Sequence, residues 1–135
     1  MSTTAAKLIE GPVEYFRAKL DYEMTPTLLK TLIDATPRNV FVVDVRGREA
    51  YDEGHIPGAR SVPIDVLVPS LAALPKDKLL VACDADLACD LSTRAALELA
   101  QKGFRVQTLI GGLAEWSRRG YPVESTPPDG PSQAW

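Results

Sequence analysis

The sequence predicts an α/β domain built on a largely parallel sheet. Three observations carry this. Two short runs, Val40–Val45 and Lys78–Cys83, are apolar and rich in β-branched residues, and Arg105–Leu109 reads as a third strand. A stretch between the last two, Ser92–Lys102, places Ala95, Ala96, Leu99 and Ala100 on one helical face. Glycines stand where such elements must turn, at Gly103 and at Gly111-Gly112.

Each element has its own reason. Strands covered on both faces read as continuous apolar runs rather than alternating ones, and Val40-Phe41-Val42-Val43 is of that kind. Strand, helix, strand at the spacing of 78–109 is a βαβ unit, whose two strands run parallel. Gly103 suits the position after a helix, where a positive φ ends it. Before the first strand, Pro12 opens a short amphipathic helix over 12–20, with Val13, Phe16 and Leu20 on one face. Thr25-Pro26 opens a second, with Leu28, Leu29, Leu32 and Ile33 as its stripe, and it ends near Thr36-Pro37. The expected organisation is a helical extension over 1–36 packed on the domain, the domain itself over 37–124, and a flexible Pro-rich tail over 125–135.

Composition bounds the function. A chain of 135 residues makes one domain of ordinary size. It can bury about 70% of its unfolded surface without a disulfide or a metal. The net charge of −3 speaks against nucleic-acid binding, which needs a positive field to displace counterions. No apolar run reaches membrane-spanning length, and the first residues carry no apolar leader segment, so a cytoplasmic protein is expected. The two cysteines, Cys83 and Cys89, are then expected as free thiols rather than a staple. One histidine, and cysteines spaced more widely than in zinc sites, point to no bound metal.

In open parallel sheets chemistry sits outside the carboxyl ends of the strands. Cys83 stands at such an end and Cys89 lies in the loop that follows. At this point the residues resemble a known family. Asp44-Val45-Arg46 and Tyr51-Asp52-Glu53-Gly54-His55-Ile56-Pro57-Gly58-Ala59 are similar to the opening signature of rhodanese domains. Gly103-Phe104, Leu109-Ile110-Gly111-Gly112-Leu113, Trp116 and Gly120-Tyr121-Pro122-Val123 resemble their closing one. These blocks span about residues 40 to 123, in the family's order. The resemblance implies a central, mostly parallel sheet of about five strands with helices on both faces. It also implies a cysteine that carries sulfur as a persulfide from a sulfane-sulfur donor to a thiol or protein acceptor, with no cofactor. The segment from Tyr15 to Pro26 resembles an extension found in a small single-domain subset.

The loop departs from the family's pattern. Cys83 takes the strand-end position of the usual nucleophile, but the loop from there to Ala95-Ala96 is about three residues long in excess. Cys89-Asp90-Leu91-Ser92-Thr93-Arg94 has the usual six-residue length and resembles loops of a subset carrying Cys-Asn-Gly-Ala-Thr-Lys. A six-residue turn can wrap one sulfur in backbone amides, so Cys89 is favoured over Cys83 as the carrier. Ser92 or Thr93 would cap the following helix or donate to the sulfur. Arg94 either holds an anionic donor or is a solvated first-turn residue.

Asp84, Asp86 and Asp90 crowd the loop and disfavour both a thiolate and a dianionic donor, so thiosulfate is expected to serve poorly. Asp44 and Arg46 are expected as a supporting ion pair, and the structural role is favoured for them. For His55, a ring bonded to backbone is favoured over a proton donor. Three alternatives stay open. One is a non-catalytic binding module. Another is a redox thiol pair in which Cys83 and Cys89 form a disulfide. The third is a phosphatase or arsenate-reductase relative, disfavoured because Cys89-x₄-Arg94 is one residue short of those loops.

Overall fold

The computed structural model describes the backbone of residues 2–126 and the side chains of 11–126, so most of the expected tail, Trp135 included, lies outside the described residues. Five strands form one sheet, in the spatial order Glu23–Met24, Val106–Leu109, Leu79–Cys83, Val40–Asp44, Arg60–Ser61, and every neighbouring pair is parallel. The chain begins with helix α1 (Ser2–Tyr22), followed by the two-residue strand β1 (Glu23–Met24) and helix α2 (Pro26–Ala35). Strand β2 (Val40–Asp44) leads into helix α3 (Arg48–Glu53) and strand β3 (Arg60–Ser61). Helix α4 (Leu67–Ser70), flanked by 3₁₀ turns, crosses to strand β4 (Leu79–Cys83). Helix α5 (Leu91–Gln101), strand β5 (Val106–Leu109) and helix α6 (Gly112–Arg118) complete the domain.

The predicted strands and the βαβ unit are present, shifted by a residue at their ends. Helix α2 starts where the sequence says it should, because Thr25 Oγ1 accepts from Leu28 N at 3.1 Å and Pro26 needs no partner for a missing N–H. Helix α1 differs from expectation. Pro12 lies inside it rather than opening it. A proline there removes one helical hydrogen bond, and the stretch from 12 to 22 is exposed. Helix α5 stops at Gly103, whose φ is +88°.

The continuous apolar strands are explained by two covers. Val42, Val81 and Cys83 face one core, with Met24, Leu29, Tyr51, Ile56 and Trp116. Val43, Leu80 and Ala82 face the other, with Val62, Leu67, Ala95, Leu99 and Phe104. Successive residues of one strand alternate between these cores, as the pleat requires. Each fully buried aliphatic side chain contributes about 1.5–3 kcal/mol. The pairing of β2 with β4 runs from Val40 opposite Leu79 to Asp44 opposite Cys83, so these two reach the same edge of the sheet together. Among the described residues no helix is long and apolar enough to cross a membrane.

Candidate active site

The edge reached by Asp44 and Cys83 is the carboxyl end of the sheet, and it carries two unlike regions. The first is buried. Asp44 is 1% exposed and is held by Arg46 through a fork: Nε donates to Oδ1 at 2.9 Å and Nη2 to Oδ2 at 2.7 Å. The Arg46 amide donates to Oδ1 as well, at 3.1 Å, and Nη2 donates to the carbonyl of Gly54 at 2.7 Å. A carboxylate with this many donors is compensated for its burial. The arginine thereby ties the end of β2 to the end of α3.

His55 follows directly. Its ring stacks on Tyr51 at 3.8 Å between centroids, and its Nδ1 lies 2.7 Å from the Tyr51 carbonyl. A carbonyl only accepts, so Nδ1 carries the proton in that contact. The backbone of His55 pairs with that of Glu124 as an antiparallel bridge, which closes the end of the domain over this turn. Tyr51 donates its hydroxyl to the carbonyl of Ala59 at 2.7 Å. The opening signature is thus a closed set of buried bonds.

Cys83 belongs to this buried region. It is 1% exposed, its carbonyl accepts from Val45 N at 3.1 Å, and its thiol donates to the carbonyl of Asp84 at 3.5 Å. Burial pushes the thiol well above its ordinary value. Asp44 pushes the same way, Arg46 opposes it, and Asp84 adds a further push upward.

The second region is the loop 84–90 and the start of α5. Its first residue is anchored. Asp84, 2% exposed, accepts Ser92 N on its Oδ2 at 2.9 Å, and its carbonyl accepts Leu113 N at 2.9 Å. The carbonyl of Ala85 accepts Ala114 N at 2.9 Å. This approach of two backbones requires Gly112: its φ is +58°, and a Cβ there would lie 2.4 Å from the Asp84 carbonyl oxygen. Beyond Ala85 the loop turns outward. Asp86 accepts Ala88 N on Oδ1 at 3.0 Å and Cys89 N on its carbonyl at 3.1 Å. Leu87 is 83% exposed at the tip. Cys89 is partly exposed, and both cysteines are free thiols.

The capping of α5 differs from expectation. Asp90 holds the N-cap position, ahead of Ser92 and Thr93, and its side chain makes no capping bond. It pairs instead with Arg94 at 3.1 Å, with the two side chains 66% and 69% exposed. Ser92 is buried in the first turn and gives its amide to Asp84, while Thr93 is exposed. The amide that a cap would satisfy is therefore served by a carboxylate from the end of β4. Sequence reasoning counted Asp84 only as a loop acid. The signal for its role was an Asp directly after a strand-end cysteine, set against a Gly-Gly pair that a later element brings beside it. The structure thus joins Asp44, Arg46, Cys83 and Asp84 in one buried cluster, and leaves Cys89, Asp90 and Arg94 on an exposed rim. Among the described residues, no group of three or more His, Cys, Asp or Glu side chains could hold a metal ion.

Comparison with known proteins agrees with this arrangement. The family described as Rhodanese-like domain matches residues 25–119. An HTH-type transcriptional regulator Rv0324 of Mycobacterium tuberculosis is 38% identical over 91 residues. These make up 67% of this chain but 40% of that protein, so the chain spans about two fifths of this relative's length. A protein named sulfurtransferase from Allochromatium vinosum is 31% identical over 91 residues, 66% of this chain and 82% of that one. Among solved structures, the BH2092 protein of Bacillus halodurans superposes with a TM-score of 0.79 at 36% identity, covering 86% of this chain and 85% of that one. With the family matched over most of its length, and with the five-stranded parallel sheet and its cysteine loop in place, this chain belongs to the rhodanese-like domain family.

Proposed function

We propose that this domain is a sulfane-sulfur carrier of the sulfurtransferase kind, with Cys89 as the nucleophile that holds the transferred sulfur. One observation carries the choice of cysteine: Cys89 is the partly exposed thiol, whereas Cys83 is buried between carboxylates. A sulfur that must meet a donor and then an acceptor has to be reachable. The family supports the sulfurtransferase role, as do relatives that bear that name.

The chemistry balances without a cofactor. The Cys89 thiolate attacks the outer sulfur of a donor persulfide, R–S–SH. A bond forms between Sγ and that sulfur, the donor's S–S bond breaks, and R–S⁻ leaves with the electron pair. An acceptor thiolate, free or on a protein, then attacks the outer sulfur of Cys89–S–SH. The Cys89 thiolate departs as leaving group and the domain returns to its first state. Asp90, Ser92, Thr93 and Arg94 follow Cys89 at the N-cap and in the first turn of α5, and we assign them to the donor site. Asp44, Arg46 and His55 hold the end of the sheet from which the loop springs.

Charge decides the donor. Arg94 is already paired with Asp90, and Arg46 with Asp44, while Asp84 and Asp86 add negative charge to the loop. A dianion such as thiosulfate is repelled there, and a persulfide on a small thiol or protein is not. A net charge of −3 speaks against non-specific nucleic-acid binding, and we place the domain in the cytoplasm, where thiols stay reduced.

The test is to expose the reduced chain to glutathione persulfide and, separately, to thiosulfate, and to weigh the product. A gain of one sulfur atom from the persulfide and little from thiosulfate is expected. Rapid loading by thiosulfate overturns the donor assignment. A second reading is favoured by one observation: the Ser92 amide, which could face a sulfur anion, is taken by Asp84. A domain that only binds a partner through this loop would gain no sulfur from either donor.

A further inference from the structure

We propose that the outer face of α1, together with the start of α2, is the contact surface of a homodimer, in which a second copy of this chain lays the same face across it. The inference goes beyond the sulfur-carrier reading and does not depend on it.

The starting point is a helix with little to hold it. Helix α1 runs for 21 residues, yet every residue from Pro12 to Tyr22 is exposed. A helix in water draws most of its stability from an apolar face packed on a neighbour. The apolar face exists. Val13, Phe16 and Leu20 recur at i, i+3 and i+7, and all three are exposed, Phe16 by 60% and Leu20 by 83%. Leu28 of α2, exposed as well, extends the patch. Between the two helices lies a cleft of about 450 Å³, lined by Phe16, Leu20, Leu28 and Ile110 among others.

Shape, charge and area name the occupant. A two-fold interface is one patch used twice, so it must both present a ridge and receive one. The stripe of Val13, Phe16 and Leu20 is a ridge at helical spacing, and the cleft beside it has apolar side chains from two helices, the seat that such a ridge takes. The chain carries a net charge of −3, and a face with surplus acid would repel its own copy. From Glu14 to Asp21, however, Arg17 and Lys19 balance the two acids, so the stripe lies on a neutral segment. A lipid surface calls for a surplus of Lys and Arg beside the stripe, and this segment has none. The four apolar side chains together expose on the order of 500 Å². A standard interface takes about 800 Å² from each partner, roughly 55–65% of it apolar, and the patch supplies that share. The face also adjoins the cysteine loop. A smaller cleft, which shares Thr25 and Ile110 with the first, is lined by Asp86 and Leu87 of the loop tip.

The experiment is sedimentation equilibrium of the full chain with a reductant present, so that no disulfide between copies contributes. At about 100 μM, where an association of micromolar Kd is nearly complete, a mass of twice the 14.7 kDa chain is expected. Phe16→Glu and Leu20→Glu each place a charge on the stripe of both copies. Each is expected to raise the dissociation constant at least tenfold. Leu97→Glu puts the same charge on an exposed apolar residue of α5, outside the patch, and is expected to leave the mass unchanged. A parent that stays monomeric overturns the proposal, whatever else covers the stripe. So does a dimer that neither α1 substitution weakens, or one that Leu97→Glu weakens as much. Circular dichroism checks that the variants are folded. Should a glutamate unfold the chain, Phe16→Ser and Leu20→Ser are read in its place by the same criteria. The mass is read without any sulfur donor. A chain that takes no sulfur would sink the proposed function and leave the dimer standing, and a monomer that loads Cys89 would do the reverse.

Discussion

Two ion pairs stand at the same end of the sheet and live under opposite conditions. Asp44 and Arg46 are joined by a two-bond fork, with side chains 1% and 10% exposed. Asp90 and Arg94 meet through one bond, with both side chains about two thirds exposed. The first pair fixes the frame on which β2 and α3 meet. The second sits on a solvated helix turn and holds little in place. The cysteines divide along the same line, Cys83 with the frame and Cys89 with the rim. The lesson is that sequence proximity to a loop does not make a residue part of its chemistry; burial and charge do.

The contrast can be broken at its strong side first. Arg46→Ala leaves Asp44 buried without its partner, and a loss of about 3–5 kcal/mol in unfolding free energy is expected from urea denaturation. A loss below about 1 kcal/mol would show that the frame does not depend on the fork. Next, Gly112→Ala forces a positive φ on a residue with a Cβ and drives that Cβ into the Asp84 carbonyl. A cost of about 1–3 kcal/mol is expected. In the Cys89→Ser background, the displaced loop should make Cys83 more reactive to a small thiol reagent.

The rim should respond weakly. Arg94→Ala is expected to shift stability by no more than about 0.5 kcal/mol. Persulfide loading should change by no more than a few-fold. Abolished loading would restore Arg94 as a donor-binding residue.

The smallest effect concerns pH. Arg118 and then Arg119 hold the Glu115 carboxyl below its ordinary value. A carboxyl depressed in the folded state adds stability above its unfolded value, and that stability is lost as pH falls through the folded one. The difference in melting temperature between the parent and Glu115→Gln should therefore be present near neutrality and shrink in acid. A difference that grows in acid would contradict the sign.

Much of the frame could be read in advance. The runs around Val42 and Val81 are apolar because both faces are covered, and that pattern is local. Thr25-Pro26 and Gly103 are local signals as well. The edge strands were not legible. Glu23–Met24 and Arg60–Ser61 are two residues each, carry no pattern, and are strands only because a neighbour pairs with them. In the site, both cysteines could be named from sequence, and loop length favoured Cys89, but their difference in burial was not legible. That difference depends on a core that Trp116 and Tyr51 share with Cys83 from remote elements, and on Gly112 admitting the Asp84 backbone. Asp84 itself looked like one acid among three; its burial and its bond to Ser92 are tertiary facts.

The central claim is that Cys89 carries the sulfur and Cys83 does not. Mass spectrometry of Cys83→Ser and Cys89→Ser after exposure to glutathione persulfide, followed by transfer to a thiol acceptor, tests it directly. The account predicts that Cys83→Ser gains one sulfur atom and gives it up to the acceptor, whereas Cys89→Ser stays unloaded. Loading retained in Cys89→Ser and lost in Cys83→Ser would contradict it.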